Sequence, residues 1–265
     1  QGREVAAHDI DDSLDVGQQL AEAVLGRDLV QTILTRRPAS VLIALPARLR
    51  RVAFELMVLD DQVFGCEFAV GRVVGELLQS PRRASSVSES CKRISLIADP
   101  TFELLHAQYE SQLISNLWFR RRDVLDMTRF QPQTSFVDRE AAVQALGSTQ
   151  WLHFCGHGKV DVATTVRGWV FQDGLLTVEE LLARGSRRSP AFVFANACGS
   201  AECPHDPARV TLPDLLMQQG CEHFVGTLAM FQDASCLPFV EGFYRAILAG
   251  RSTGEAMREG RRTAR

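Results

Sequence analysis

The sequence predicts an α/β domain built on a mainly parallel sheet with helices on both faces. Three observations predict it. From Arg93 onward, short apolar runs alternate with helical stretches. Those runs are apolar at consecutive positions, as in strands buried on both faces. Two of them run straight into a reactive side chain beside a glycine, and in such sheets reactive residues collect at the carboxyl ends of strands.

Residues 15–36 place Leu20, Val24, Leu25, Val30, Ile33 and Leu34 at helical spacing and predict one or two amphipathic helices. Residues 41–45 read as a strand between Pro38 and Pro46, whereas periodicity leaves 64–74 open between strand and helix. The polar, serine-rich stretch QSPRRASSVS (79–88) reads as a flexible linker. Beyond it the alternation is regular. Arg93–Ala98 is a strand stopped by Asp99-Pro100, and a helix over 102–119 carries Leu104, Leu105, Tyr109, Leu113 and Leu117. A strand at 124–130, a helix at 138–146 and a strand at Trp151–Cys155 follow. Val178–Ala183 is a helix opened by Thr177, with Glu180 three residues later as a capping box. A strand at 191–195, a helix at 211–219 ended by Gly220 and a strand at 223–228 continue the pattern. The last clear helix holds Phe239, Val240, Phe243, Tyr244, Ile247 and Leu248, and Gly250 ends it. The expected organisation is one domain over 1–265, with an N-terminal lobe (1–78), a linker (79–92) and a core (93–262).

A chain of 265 residues is long enough to bury a sizeable core. A formal net charge of -3 gives no sign of a nucleic-acid footprint or an anionic-membrane binder. The basic clusters Arg120-Arg121-Arg122 and Arg187-Arg188 read as solvated faces. No stretch approaches the ~18 apolar residues of a membrane span, and Gln1 opens polar sequence rather than a secretory signal. The absence of an initial Met makes the chain read as a piece of a longer protein. Cysteines at 66, 91, 155, 198, 203, 221 and 236 are odd in number, and four sit in apolar or strand-like surroundings. That fits a reduced, cytoplasmic protein better than a disulfide framework. No Gly-x-Gly-x-x-Gly or Walker-type loop occurs, so no cofactor is expected.

The chemistry concentrates at two strand ends. Trp151-Leu152-His153-Phe154-Cys155 runs into Gly156-His157-Gly158, and Ala191-Phe192-Val193-Phe194-Ala195 runs into Asn196-Ala197-Cys198-Gly199. If those strands are neighbours, His157 and Cys198 face each other across one cleft. The thiolate is the reactive form of cysteine, and a nearby imidazole takes its proton. The backbone N–H groups of Gly158 and Cys198 are candidate oxyanion donors, with the missing Cβ of Gly158 allowing close approach. A lone cysteine at a strand end is ordinarily a packing residue; the paired pattern argues for a dyad. His153 and Cys155 lie inside the apolar run and read as core.

At these residues the sequence resembles the CHAT family, bacterial relatives of caspases and separases. The clan signature is an apolar strand ending in His-Gly and another ending in Ala-Cys, here His157-Gly158 and Ala197-Cys198. LHFCGHG (152–158), DGLLTVEELL (173–182), VFANACGSA (193–201) and the stretch from Phe224 to Gly260 carry the likeness, and IADPTFELLHAQYE (97–110) is similar to the start of the family's core. The resemblance is good over 93–262 and thin before it. It implies a caspase-like three-layer α/β/α sandwich, with Cys198 as nucleophile and His157 as base of a peptide-bond hydrolase. It also implies a protein substrate, such as a gasdermin-like or other effector protein, and a regulatory domain or sensor, as in bacterial immunity or regulated cell death. Gly199 departs from the family, which often has an acidic or small residue there.

Three residues are candidates for substrate binding. Asn196, two before Cys198, is placed to line the pocket for the side chain preceding the scissile bond. Asp233 and Asp161 lie in loops that reach the same region, and a carboxylate there favours a basic substrate side chain. The plain alternative for either aspartate is a loop-capping hydrogen bond. Zinc held by Cys198, Cys203 and His205 is the rival reading of the cysteine cluster. No Cys-x-x-Cys pair or spaced fourth ligand supports it, so no metal is assigned. The non-enzymatic alternative is a catalytically silent scaffold that binds partners through this fold.

Overall fold

A computed structural model describes residues 7–46, 49–74, 93–120, 126–130, 137–160, 167–185, 188–202, 209–230 and 235–265. The core is a five-stranded, fully parallel sheet. Its strands are β5 (Arg93–Ala98), β6 (Asp126–Phe130), β7 (Trp151–Cys155), β11 (Phe192–Asn196) and β12 (His223–Gly226). They lie side by side in the order β12-β11-β7-β5-β6. β7 sits in the middle, so both of its faces and both of its edges are covered, and all five of its residues are buried.

Side chains alternate strictly across this sheet, as the period-2 geometry of strands requires. Leu152, Phe154, Val193, Ala195 and Ala197 enter one core, with residues of α4 (Arg139–Ser148), α5 (Val178–Ala183) and α6 (Leu212–Gln218). Trp151, Phe192 and Phe194 enter the other, with residues of α3 (Leu105–Phe119) and α7 (Cys236–Leu248), and Ala256 of α8 (Thr253–Ala264). Helix, sheet and helix make the expected three layers. Helices α4, α5 and α6 start at side-chain caps. Asp138 accepts from the Ala141 N–H at 2.7 Å, and Thr177 accepts from the Glu180 N–H. Thr211 and Asp214 cap α6 reciprocally. The Glu180 carboxylate closes no box of its own, because Arg139 and Arg184 hold it.

A second, antiparallel sheet flanks the first. Its strands β8 (Gly158–Val160), β9 (Arg167–Phe171) and β10 (Gly174–Thr177) run in the order β10-β9-β8. The family resemblance implies only a strand and a helix over 173–182; β8 and β9 are additions.

The N-terminal part has its own cluster. α1 (Ala7–Arg36) turns at Gly26, which adopts φ 72° and splits the run, so that of the one or two helices expected there are two. β1 (Ser40–Leu45) pairs in parallel with β4 (Ala69–Val74). The undecided stretch 64–74 is both elements in turn: α2 (Phe64–Glu67), then β4. Phe54, Met57, Phe64 and Val70 centre the cluster, and β2 (Val58–Leu59) with β3 (Gln62–Val63) makes a small hairpin. α8 joins this lobe to the core, with Arg261 donating to the Gly65 carbonyl at 3.3 Å and Arg262 to that of Cys66 at 2.6 Å. The linker expected at 79–92 lies outside the described residues. Among the described residues, no helix is long and apolar enough to cross a membrane.

Candidate active site

Strand register brings the two candidate residues, His157 and Cys198, to the same end of the sheet. β7 and β11 are adjacent and parallel, and Cys155 is paired with Asn196 at their carboxyl ends. The Gly156 N–H continues the contact by donating to the Asn196 carbonyl at 3.3 Å. His157 and Cys198 therefore each lie two residues beyond the same matched pair. The His157 carbonyl accepts from the Val170 N–H at 2.9 Å, which fixes its backbone to β9. Gly158 then lies directly on Cys198. A Cβ at Gly158 would fall on the Cys198 carbonyl oxygen and lie 3.1 Å from both its carbonyl carbon and its amide nitrogen. The structure thus gives this glycine a reason beyond substrate approach: no side chain fits between the two chain segments.

Hydrogen bonds hold the Cys198 turn from below. Ser200 Oγ donates to the Ala195 carbonyl at 2.7 Å and accepts from the Thr227 N–H at 3.0 Å. Thr227 Oγ1 donates to the Ala197 carbonyl at 2.5 Å, and the Ala201 N–H donates to the Thr227 carbonyl at 2.9 Å. Gly199 adopts φ 63°, the left-handed region that favours glycine. The turn itself demands a glycine at this position. Cys198 is half-buried, whereas Cys66, Cys155, Cys221 and Cys236 are buried. Burial pushes the Cys221 thiol up to about 12, beyond use as a nucleophile near neutral pH.

His157 has a partner that sequence reasoning missed. Its Nε2 is 3.1 Å from Oε2 of Glu103, and both side chains are open to solvent, 40% and 68% exposed. Glu103 is delivered by the loop after β5, the other neighbour of β7. Asp99, fully buried, organises the loop by accepting from the N–H groups of Glu103 (2.8 Å) and Leu104 (3.0 Å) and from Gln108 Nε2 (2.8 Å). The Asp99 N–H donates to the Cys155 carbonyl at 2.8 Å, tying the loop to the strand end that carries His157. The signal available in the sequence was a carboxylate just past a third strand end.

Asn196 is not placed as expected. Its side chain is buried, and its amide nitrogen donates to Glu110 Oε2 at 2.7 Å, away from the cavity wall. The physical reason is alternation: along β11, Asn196 shares the face of Phe192 and Phe194, which α3 and α7 cover. Glu110 Oε1 lies 2.8 Å from Nε2 of His153, and His153 Nδ1 lies 2.8 Å from the Tyr244 hydroxyl. His153 and Cys155 are core residues, as the sequence suggested. Glu110, His153 and Cys155 bring one ligand atom each within 4.8 Å of one another. Those atoms are already engaged, Cys155 donating to the Ala107 carbonyl at 3.4 Å, so the group is a satisfied hydrogen-bond network. Asp161, Asp233, Cys203 and His205 lie outside the described residues.

A cavity of about 230 Å³ opens beside Cys198. Trp169, Leu176, Leu182 and Leu212 give it apolar walls, and Lys159, Arg167, Arg209, Glu179 and Glu202 bring charges of both signs to it. Arg167 donates to the Glu202 carbonyl at 3.0 Å, and the Glu202 carboxylate lies between Arg51 (3.3 Å) and Arg167 (3.7 Å).

A three-layer sandwich whose central parallel strands bring a histidine and a half-exposed cysteine to one rim defines a caspase-like α/β domain. The chain belongs to the CHAT-domain family, whose model matches residues 14–265. That family is related to the caspase-like peptidases. No curated protein matches the chain.

Proposed function

We propose that the protein is a cysteine endopeptidase, with Cys198 as nucleophile and His157 as general base. The imidazole takes the thiol proton, and the sulfur attacks the carbonyl carbon of a peptide bond. The N–H groups of Gly158 and Cys198 receive the developing oxyanion. The imidazolium then protonates the leaving amine, and water, deprotonated by the same imidazole, hydrolyses the thioester and restores the thiol. Glu103, 3.1 Å from Nε2, orients the ring. The substrate side chain preceding the scissile bond enters the cavity beside Cys198.

The observation that supports this reading most is the register of β7 and β11, with Gly158 lying against the Cys198 backbone. Family membership adds the expectation of a protein substrate and of control by an upstream sensor or partner, in bacterial defence or regulated cell death. The test is cleavage of a peptide library by the chain, with and without candidate regulatory partners, beside Cys198→Ala and His157→Ala. Turnover that disappears in both variants supports the proposal. Turnover unchanged in Cys198→Ala refutes it, and a wild-type chain that binds a partner but turns over nothing favours the silent scaffold.

A further inference from the structure

We infer that Glu110 is a positioning residue for the cysteine–histidine pair, acting on both reactive strand ends through one buried carboxylate; the inference rests on the peptidase reading above. Glu110 lies within α3 and is 1% exposed. Its two oxygens reach two different strands. Oε1 contacts His153 on β7, four residues before His157, and Oε2 accepts from Asn196 on β11, two residues before Cys198. Nε2 of the same His153 ring faces Glu110, and Nδ1 faces the Tyr244 hydroxyl of α7 at 2.8 Å, so the ring is held from both sides.

A carboxylate at this depth is expensive to desolvate, and an apolar side chain would pack α3 against the sheet without that cost. What the carboxylate adds is direction. It sets the rotation of two side chains on neighbouring strands, and so the path on which each chain leaves the sheet. The Asn196 carbonyl also accepts from the Gly156 N–H, which couples the two exits directly. α3 begins where the Asp99-ordered loop carrying Glu103 ends. The segments bearing Glu103, His157 and Cys198 therefore share this one anchor.

The experiment exchanges donor and acceptor across the Glu110–Asn196 bond in the full chain. Asn196→Asp sets two carboxylates against each other. In the Glu110→Gln/Asn196→Asp pair, the amide now at 110 donates to the carboxylate now at 196, while its oxygen still faces His153. The readouts are kcat and KM on a cleaved peptide, and the pH midpoint of Cys198 alkylation by iodoacetamide, followed on the Cys198 peptide by mass spectrometry. The wild-type midpoint is expected below that of His157→Ala. Asn196→Asp is expected to raise it to the His157→Ala value and to lower kcat on the order of 100-fold, with KM nearly unchanged. The paired exchange is expected to restore both to within about threefold of wild type.

A folded Asn196→Asp that melts earlier but keeps the wild-type midpoint and kcat overturns the inference, as does an exchange that restores nothing. If Asn196→Asp does not fold, Asn196→Ala carries the same test, and an unmoved midpoint there overturns it too. A wild-type midpoint equal to that of His157→Ala sinks the peptidase reading itself, whatever Glu110 does.

Discussion

Gly158→Ala isolates the contact on which the proposed site depends. The added methyl falls on the Cys198 carbonyl oxygen, with the carbonyl carbon and amide nitrogen of Cys198 at 3.1 Å. All three atoms are backbone, and none can swing aside. β8 is paired with β9, and the Cys198 turn is tied down by Ser200 and Thr227. Overpacking of this kind costs about 1–3 kcal/mol. At roughly 2–4 °C per kcal/mol for a chain of this size, the melting temperature should fall by about 2–12 °C. The effect on chemistry should be far larger. A displacement on the order of 1 Å between reacting groups costs about 100-fold in rate, and a lost oxyanion donor costs roughly 10²–10³. The assay is peptide turnover together with the rate of Cys198 alkylation, both well below the melting transition. Gly242→Ala is the comparison, since its methyl would meet Thr263 Oγ1 and the Glu259 carbonyl, at 2.8 Å, where α7 packs on α8. It should lose similar stability and keep turnover within about twofold. Wild-type turnover in Gly158→Ala refutes the argument. Equal inactivity of Gly242→Ala shows that stability alone governs both.

The remaining predictions concern single groups. In native protein carrying Cys91→Ser and Cys203→Ser, a thiol reagent should modify Cys198 first and leave Cys221 untouched near neutral pH; mass spectrometry showing Cys221 modified as fast contradicts its burial. Glu103→Gln should lower kcat by no more than about fivefold, and less at high salt, because exposed ion pairs contribute little. A loss near 100-fold shows instead that Glu103 takes part directly. Burial raises the affinity of Glu55 for a proton, but the hydrogen bond and charge of Arg72 outweigh it and hold the carboxyl below its ordinary 4.5. Its contribution is present above pH 4.5 and lost as pH falls through the lowered folded value. Melting curves of Glu55→Gln should therefore flatten in that acid window relative to wild type. Gly147→Ala, in α4 with nothing within 4 Å of the added methyl, should raise stability by about 0.4–1 kcal/mol in a denaturant titration; destabilisation contradicts the open space.

Helix α3 shows where hydropathy misleads. Leu105 and Tyr109, two of the apolar residues that mark the helix, are exposed, while Glu110, Ser111 and Ser115 are buried. A polar side chain can face inward only if a partner waits there. Ser115 finds its own helix, donating to the Ser111 carbonyl at 2.8 Å. Glu110 finds His153 and Asn196, 43 and 86 residues away in the chain. No local window contains that information. Asn196 was misread for the same reason, since its chemistry suits a pocket wall until the helix covering that face is known.

The sequence by itself determined the five strands of the central sheet, because an apolar run bounded by turn residues has few other stable fates. It also determined that a histidine and a cysteine leave two such strands beside glycines. His157 and Cys198 are 41 residues apart, and only the side-by-side pairing of β7 with β11 decided that they share a rim. The backbone contact at Gly158, the carboxylate from the β5 loop and the buried anchor at Glu110 were likewise decided in three dimensions. Periodicity reports which face of an element is apolar; which elements meet depends on packing and hydrogen bonding summed over the whole chain.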